Sequence, residues 1–484
     1  MKRFIFPFML CLLWGMTDKA NAQGYNIKIK VEKMPGKNII LANYFEGKVY
    51  AVDTAKLDNN GVGYFSDPKK RLARGMYLLL FSNSNYFDLI IGDTQKFSIT
   101  TDTLDVIHSI QFEGSPENTA FKNFQLFMLA QNQKSKQIRE EYEKDPNKDK
   151  EDAKKAYTAR FEQADKEVRA YIADLVKQYP HTALATFVNF TLSPEIPDFS
   201  KVVPEDTKDR NLEIQRRAYY YNKKHYWDYT NFTDSTLIRT PIFKNKLDDY
   251  FKNMVVVHPD SLYLSCVEIL EKSRPCNAMF RYLMNYCLVY TFDNKIMGMD
   301  EAFVKLGQRY YIGGIVNWLD KDQMKKITDE VYKRQYNLLN HKAIDLRLPN
   351  VDGQWVSLHE TKAPFILLLF WEPNCGHCKK QVPLAKKEIY ERFGPHGLKV
   401  FAVNTHTKED EWKKFIEEKE LFDFINCWDP NRQSNYWTIY NVFSTPVMYI
   451  LDKDKKIIAK NLAVDQMVDL LKKEYEKQYK IKVD

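Results

Sequence analysis

From Tyr25 to about Gly114, apolar residues either alternate with polar ones or gather in short runs. Tyr25, Ile27, Ile29 and Val31 step by two, while Met76 to Phe81 and Phe87 to Ile91 are compact apolar stretches. A period of two places alternate side chains on one face of a strand, so this texture predicts strands. Asp58-Asn59-Asn60-Gly61 has the composition of a turn between two of them. The expectation for 23–114 is a small antiparallel β-sandwich.

After Ser115-Pro116-Glu117-Asn118 the period lengthens, with Phe121, Phe124, Phe127 and Met128 at helical spacing. Lys144 to Lys155, around Pro146, reads as an exposed turn, and a long helix follows it. Its stripe is Tyr157, Phe161, Ala164, Val168, Tyr171, Leu175 and Tyr179, stopped by Pro180. Helical spacing continues past Pro194, Pro197 and Pro204, through Phe243 to Phe251 and Leu262 to Tyr290, to about Leu339. Residues 115–338 are therefore expected to form one helical domain. Within it, Tyr219-Tyr220-Tyr221 with His225, Tyr226 and Trp227 offers a stacking surface for carbohydrate or peptide. Aromatic stripes on helices more often belong to the core, which is the expectation here.

From about His341 strands and helices alternate, the pattern of a mostly parallel or mixed sheet covered by helices. Phe365 to Phe370 is a fully apolar strand, Lys379 to Phe393 a helix, Lys399 to Asn404 a strand and Lys408 to Lys419 a helix. Val447 to Leu451 and Lys456 to Lys460 form a hairpin, and Val464 to Tyr479 is a closing helix. The fold class predicted is multidomain α+β, with an N-terminal antiparallel β-sandwich, a central all-α domain and a C-terminal α/β domain over 339–484.

A length of 484 residues fits two or three domains, and 44% hydrophobic residues suffice for their cores. The net charge of +8, from 72 basic and 64 acidic residues, is spread along the chain without a basic block, so nucleic acid is not an expected partner. Residues 1–22 carry the parts of an export signal: Lys2 and Arg3, an apolar stretch from Phe4 to Met16, and the small-residue site Ala20-Asn21-Ala22. The apolar run is too short to span a bilayer. Cleavage before Gln23 and residence in the periplasm or cell envelope are expected. Cys11 lies in mid-stretch, away from the cleavage point, so lipidation is not expected.

Six cysteines then remain, too few for a disulfide-built scaffold. Cys266, Cys276, Cys287 and Cys427 read as buried free thiols. Cys375 and Cys378 differ. In "WEPNCGHCKK" (371–380) they stand two residues apart, directly after a buried strand and before a helix. Free N–H groups and the dipole at a helix start stabilise a thiolate, and a protonated His377 adds to that. Cys375 is thus the expected nucleophile and Cys378 the shielded resolving thiol. A structural zinc site needs a second pair of ligands that is not near by, since Cys427, His396 and His406 are scattered. Haem attachment needs His where Lys379 stands, and a peroxiredoxin site needs Pro where Leu368 stands. No metal or cofactor is expected. Thr445-Pro446, just before Val447 to Leu451, is a candidate cis peptide whose loop reaches the dithiol and whose Thr445 backbone pairs with substrate.

Residues 341–484 resemble the thioredoxin-fold domain of TlpA-like exported thiol-disulfide oxidoreductases. The resemblance rests on Phe370-Trp371, Cys375-Gly376-His377-Cys378, Lys379, Pro383 and Thr445-Pro446. The whole chain is similar to exported Bacteroidetes proteins that join β-rich and helical domains to such a module, sharing "GSPEN" (114–118), "FTDSTLIRTPIF" (232–243) and "FWEPNCGHCKKQVP" (370–383). This implies exchange of the dithiol with cysteines of envelope proteins, in either redox direction, with a membrane thiol donor among the candidate partners. Trp371, Glu372, Gly376, His377 and Gln381 support the dithiol in that reading, and Thr445 and Pro446 bind substrate.

Gln381 stands where many relatives have Glu, Leu369 where thioredoxins have a buried Asp, and Asn374 where tryptophan often precedes the first cysteine. Glu372 is the nearest carboxylate that could replace the missing acids. A histidine before the second cysteine also occurs in protein disulfide isomerase, at about −180 mV against about −270 mV for thioredoxin, which suggests a less reducing dithiol. The alternative is a partner- or ligand-binding envelope protein in which the dithiol domain is accessory.

Overall fold

The alternation in Tyr25–Val31 yields a strand with Tyr25, Ile27, Ile29 and Val31 buried and the residues between them exposed. In this computed structural model, which describes residues 24–82 and 85–483, it lies in a four-stranded sheet. The order is Val62–Asp67, Tyr25–Val31, Lys96–Thr101 and Gln111–Glu113. A second sheet runs Lys48–Lys56, Asn38–Phe45, Gly75–Ser82 and Asn85–Ile91. The export segment expected at 1–22 lies outside the described residues.

Both sheets feed one core, in which Ile27, Ile29, Phe65 and Phe97 meet Leu41, Tyr77, Leu79 and Leu89. The sandwich departs from the expected antiparallel form at one pair: Tyr25–Val31 and Lys96–Thr101 run parallel, Ile29 opposite Ile99. The long excursion through the other sheet returns the chain in its starting direction, as a parallel pair requires. At the predicted turn, Asp58 Oδ1 accepts from Asn60 N (2.8 Å) and Val62 N (2.9 Å), and Gly61 adopts φ +72°. A Cβ at Gly61 would lie 2.3 Å from the Val31 carbonyl oxygen. Met76 and Ile90 pack away from the sandwich, against Phe121, Phe124, Ile172 and Leu175. That sheet is therefore covered on both faces, which explains why its strands read as continuous apolar runs.

The helices Pro116–Lys144 and Glu151–Gln178 flank the exposed turn at Pro146, as expected. The motif "GSPEN" is the joint between strand and helix. Ser115 Oγ caps Asn118 N, and the Asn118 amide exchanges two 2.8 Å bonds with the Ile90 backbone. Glu117 accepts from Leu184 N at 2.8 Å. In "FTDSTLIRTPIF", Asp234 caps the short helix Ser235–Arg239 and takes Thr186 Oγ1 (2.8 Å) and Arg74 (3.3 Å) on its other oxygen. Both motifs are thus structural. The tyrosine-rich stretch divides: Tyr226 and Trp227 are core, but Tyr220 is exposed. Tyr221 and His225 line an open cleft with Pro194, Pro197 and Asp228, a correction to the core reading.

The chain forms two compact units, one holding the residues up to Met254 with Ile269–Tyr282, the other Val255–Glu268 with Leu283 onward. In the second unit a five-stranded sheet has the order Ile425–Trp428, Lys399–Asn404, Phe365–Trp371, Val447–Asp452, Ile457–Lys460. Its centre, Phe365–Trp371, is buried at all seven positions, each large apolar side chain stabilising the fold by about 1.5–3 kcal/mol relative to exposure. It pairs parallel with Lys399–Asn404 and antiparallel with Val447–Asp452. The closing helix Val464–Tyr479 and the helix from Cys378 cover one face, and Tyr436, Tyr440 and Leu358 the other. Two strand pieces were not anticipated: Ile425–Trp428 on the sheet edge, and the hairpin Arg347–Pro349 with Trp355–Ser357. Cys266, Cys287 and Cys427 are buried thiols, whereas Cys276 is only half-buried, contrary to expectation.

Lys460 is 3% exposed and donates to Asp300 Oδ2 (2.6 Å) and the Asn337 carbonyl (2.7 Å). The Asn337 amide in turn donates to the Ile439 carbonyl at 3.0 Å. These bonds fasten the helices Asp300–Leu306 and Lys321–Gln335 to the sheet domain inside the same unit.

Candidate active site

The buried strand delivers the chain at Trp371 to the sheet's end, where Glu372 to His377 form two turns before the helix Cys378–Ala385. The helix starts three residues later than Cys375, but the Cys375 carbonyl already accepts from Lys379 N at 3.0 Å. The cysteine is thus held at the mouth of the helix, where N–H groups are free to turn towards it. Pro383 lies inside that helix, which continues through the π-turn Lys386–Tyr390 to Glu391–Phe393. The expected helix Lys379 to Phe393 is therefore present, with an irregular middle.

Cys375 Sγ–H donates to the Thr445 carbonyl at 3.1 Å, and Cys378 N–H donates to Cys375 Sγ at 3.3 Å. Thr445-Pro446 is cis, as the sequence suggested. Cys375 is part-exposed and Cys378 fully buried. Burial acts to push the Cys375 thiol up, but hydrogen bonds at its sulfur, from the Cys378 and His377 N–H groups and from the Thr445 and Cys378 side chains, hold it below the ordinary thiol value. Burial dominates at Cys378 and pushes it up to about 12. One sulfur is therefore an accessible thiolate former and its neighbour a protonated, shielded thiol.

Thr445 Oγ1 donates to Glu372 Oε1 at 3.2 Å, so the half-buried Glu372 lies against the same loop. The hydroxyl has one proton, which it can give to Glu372 or to a Cys375 thiolate but not to both. Trp371 is buried, packs at a tilt against Phe415 with ring centres 4.7 Å apart, and accepts from Thr405 N at 2.9 Å through its carbonyl. His377 and Gly376 are exposed on the turn, and a Cβ at Gly376 would meet nothing within 4 Å. Packing thus does not demand glycine there, and the approach to Cys375 stays open. Gln381 is half-buried one turn along the helix, where its N–H donates to the His377 carbonyl at 2.9 Å. Leu369, in the place of a buried acid, is fully enclosed opposite Ala402 and Met448.

One group escaped the sequence reading. Asn374 donates to the Glu411 carboxylate and lies 3.4 Å from His406 Nε2, while Lys408 Nζ pairs with Glu411 at 2.7 Å. These residues brace the dithiol turn against the loop after Lys399–Asn404. Partners 32 and 37 residues away leave no local signal.

Residues 25–121 match a "Domain of unknown function (DUF4369)" and residues 177–341 a "Domain of unknown function (DUF5106)". Residues 339–460, which hold the dithiol and the cis-proline loop, match the "AhpC/TSA family". The "Thiol-disulfide oxidoreductase ResA" of a Bacillus cereus strain is 24% identical over 122 residues, 25% of this chain and 68% of that protein. The "Thioredoxin-like protein YneN" of Bacillus subtilis (strain 168) is 29% identical over 142 residues, 28% of this chain and 76% of that protein. A crystal structure of "a domain of possible thiol-disulfide isomerase" from Cytophaga hutchinsonii is 34% identical, covering 30% of this chain and 96% of that one with a TM-score of 0.28. Residues 339–460 thus form an AhpC/TSA-type thioredoxin-like domain, and the protein is a thioredoxin-like thiol-disulfide oxidoreductase with two further domains of unknown function.

Proposed function

We propose that the protein exchanges the Cys375/Cys378 pair with cystines of envelope proteins through a mixed disulfide at Cys375. The observation that carries this reading is the contrast between the two sulfurs: one part-exposed with its pKa lowered, the other buried and pushed up to about 12. The Cys375 thiolate attacks one sulfur of the substrate cystine, forming the mixed disulfide and releasing the other sulfur as thiolate. Cys378 then loses its proton and attacks Cys375 Sγ, which closes the internal disulfide and releases the second substrate thiolate. Two electrons pass from the dithiol to the substrate, and an external thiol donor, in the envelope a membrane-held one, restores the dithiol. The reading of residues 1–22 as an export signal supports a location in the periplasm or envelope. Among the described residues no helix is long and apolar enough to cross a membrane.

A Cys378→Ser variant expressed in its own host will accumulate disulfide adducts through Cys375, since the release step is lost. Mass spectrometry of those adducts should return exported cysteine-containing proteins. Adducts no more abundant than with a Cys375→Ser/Cys378→Ser double variant would refute the mechanism, and adducts confined to cytoplasmic proteins would refute the location.

Glu372, within reach of the Thr445 hydroxyl, supports the release step by taking up the proton that Cys378 loses. Glu372→Gln should slow decay of the mixed disulfide by about tenfold or more. Stopped-flow decay of a preformed adduct checks this, and an unchanged rate would remove Glu372 from the mechanism.

A further inference from the structure

Phe443 is 59% exposed and stands two residues before Thr445, whose carbonyl touches Cys375 Sγ. Consecutive Cα atoms are about 3.8 Å apart, so the Cα of Phe443 lies within about 8 Å of that of Thr445. An exposed phenylalanine two residues from the backbone group that touches a reactive sulfur is an unusual use of apolar surface. Its neighbour is the helix Lys321–Gln335, from the domain of unknown function at 177–341: Lys333 Nζ sits 4.6 Å from the centre of the Phe443 ring. Asn337, one turn further, holds the backbone of Ile439 at 3.0 Å. Tyr336, three residues after Lys333 and so on the same side of the helix, is 40% exposed. Lys333 is already paired with Glu330 at 2.8 Å, which leaves the aromatic rings as the distinctive chemistry of the patch. All of these residues lie in one compact unit.

We infer that Phe443 and Tyr336, each a neighbour of Lys333, form a docking face for the extended polypeptide flanking the cystine of a protein substrate. The helical domain thereby contributes to substrate choice. This rests on the oxidoreductase reading above. Any cystine that reaches Cys375 carries its flanking residues over 443–445, and an extended chain advances about 3.3 Å per residue. An aliphatic or aromatic residue about two to four positions from the attacked cysteine falls on Phe443, and a chain that runs on reaches Tyr336. A small disulfide has no flanking chain and does not use the patch. Phe443 and Tyr336 are specificity-determining residues that never touch the reacting sulfurs.

The test compares single-turnover reduction of insulin and of dithiobis(nitrobenzoate) by the reduced full-length protein. Phe443→Ala should slow insulin reduction about fivefold or more and Tyr336→Ala about threefold, with the small disulfide reacting within about 1.5-fold of wild type. Equal insulin rates in wild type and both variants would overturn the docking face. A parallel fall with both disulfides would overturn it too, since the residues would then act on the dithiol. Phe443→Leu, which keeps an apolar surface, should restore most of the insulin rate; failure to do so also counts against the inference. Wild type reducing neither disulfide would instead overturn the oxidoreductase reading itself.

Discussion

Cys375→Ser should bring dithiothreitol-driven insulin reduction down to the rate of dithiothreitol alone, a loss on the order of a thousandfold or more in the protein's own turnover, the scale on which removal of a nucleophile acts. A serine hydroxyl keeps the size and the hydrogen bond to the Thr445 carbonyl but does not ionise near neutrality. Cys378 cannot substitute, because it is enclosed and its thiol is pushed up to about 12. The fold should tolerate the change: the position is only half-buried, and exchanges of this kind at the surface shift stability by about 0.5 kcal/mol or less. Thermal unfolding of wild type and variant separates lost chemistry from lost structure. Turnover equal to wild type in a folded Cys375→Ser protein would end the assignment of Cys375 as nucleophile.

Lys460→Ala should destabilise the C-terminal unit by about 3 kcal/mol, read as an earlier urea midpoint. Burial pushes Lys460 below its ordinary value, more than the Asp300 carboxylate and its hydrogen bond restore. Compared with an apolar pair of the same size, this ion pair therefore contributes little. Breaking it is expensive, because the Asn337 carbonyl loses its 2.7 Å donor and Asp300 its 2.6 Å partner. Asp300 retains some solvent access, its side chain being 24% exposed, which keeps the cost near the lower end of the range for buried pairs. Lys460→Met/Asp300→Leu should recover most of the loss. A single variant as stable as wild type, or a double variant no better than the single, would show that the fastening lies elsewhere.

The sequence made the dithiol domain legible because most of its elements carry a strong local pattern of apolar and polar residues. Lys399–Asn404 and Val464–Tyr479 fall on their predicted limits, and Phe365–Trp371 runs one residue past its expected end. What escaped depends on tertiary context. Ile425–Trp428 is four residues long, and its strand character comes from pairing with Phe401–Asn404. The parallel pair in the sandwich is a matter of chain path, which periodicity does not record. At the site, the Cys375–Thr445 contact was anticipated because a proline before a strand is a local mark. The Asn374, Glu411 and His406 group was not, since each is an ordinary polar residue until the fold gathers them. The aromatic stretch at 219–227 misled in part because helical spacing cannot distinguish a ring in the core from one lining a cleft.

The acidity of the first cysteine is the property on which the chemistry turns, and it is directly measurable. Reduced full-length protein is pulsed with iodoacetamide across a pH series, and modification at residues 375 and 378 is quantified by peptide mass spectrometry. Cys375 should label with a midpoint below that of a free thiol, about 8.5, and Cys378 should stay unlabelled until far more alkaline pH. A Cys375 midpoint at or above the free-thiol value, or Cys378 labelling first, would contradict the proposed roles of the two sulfurs.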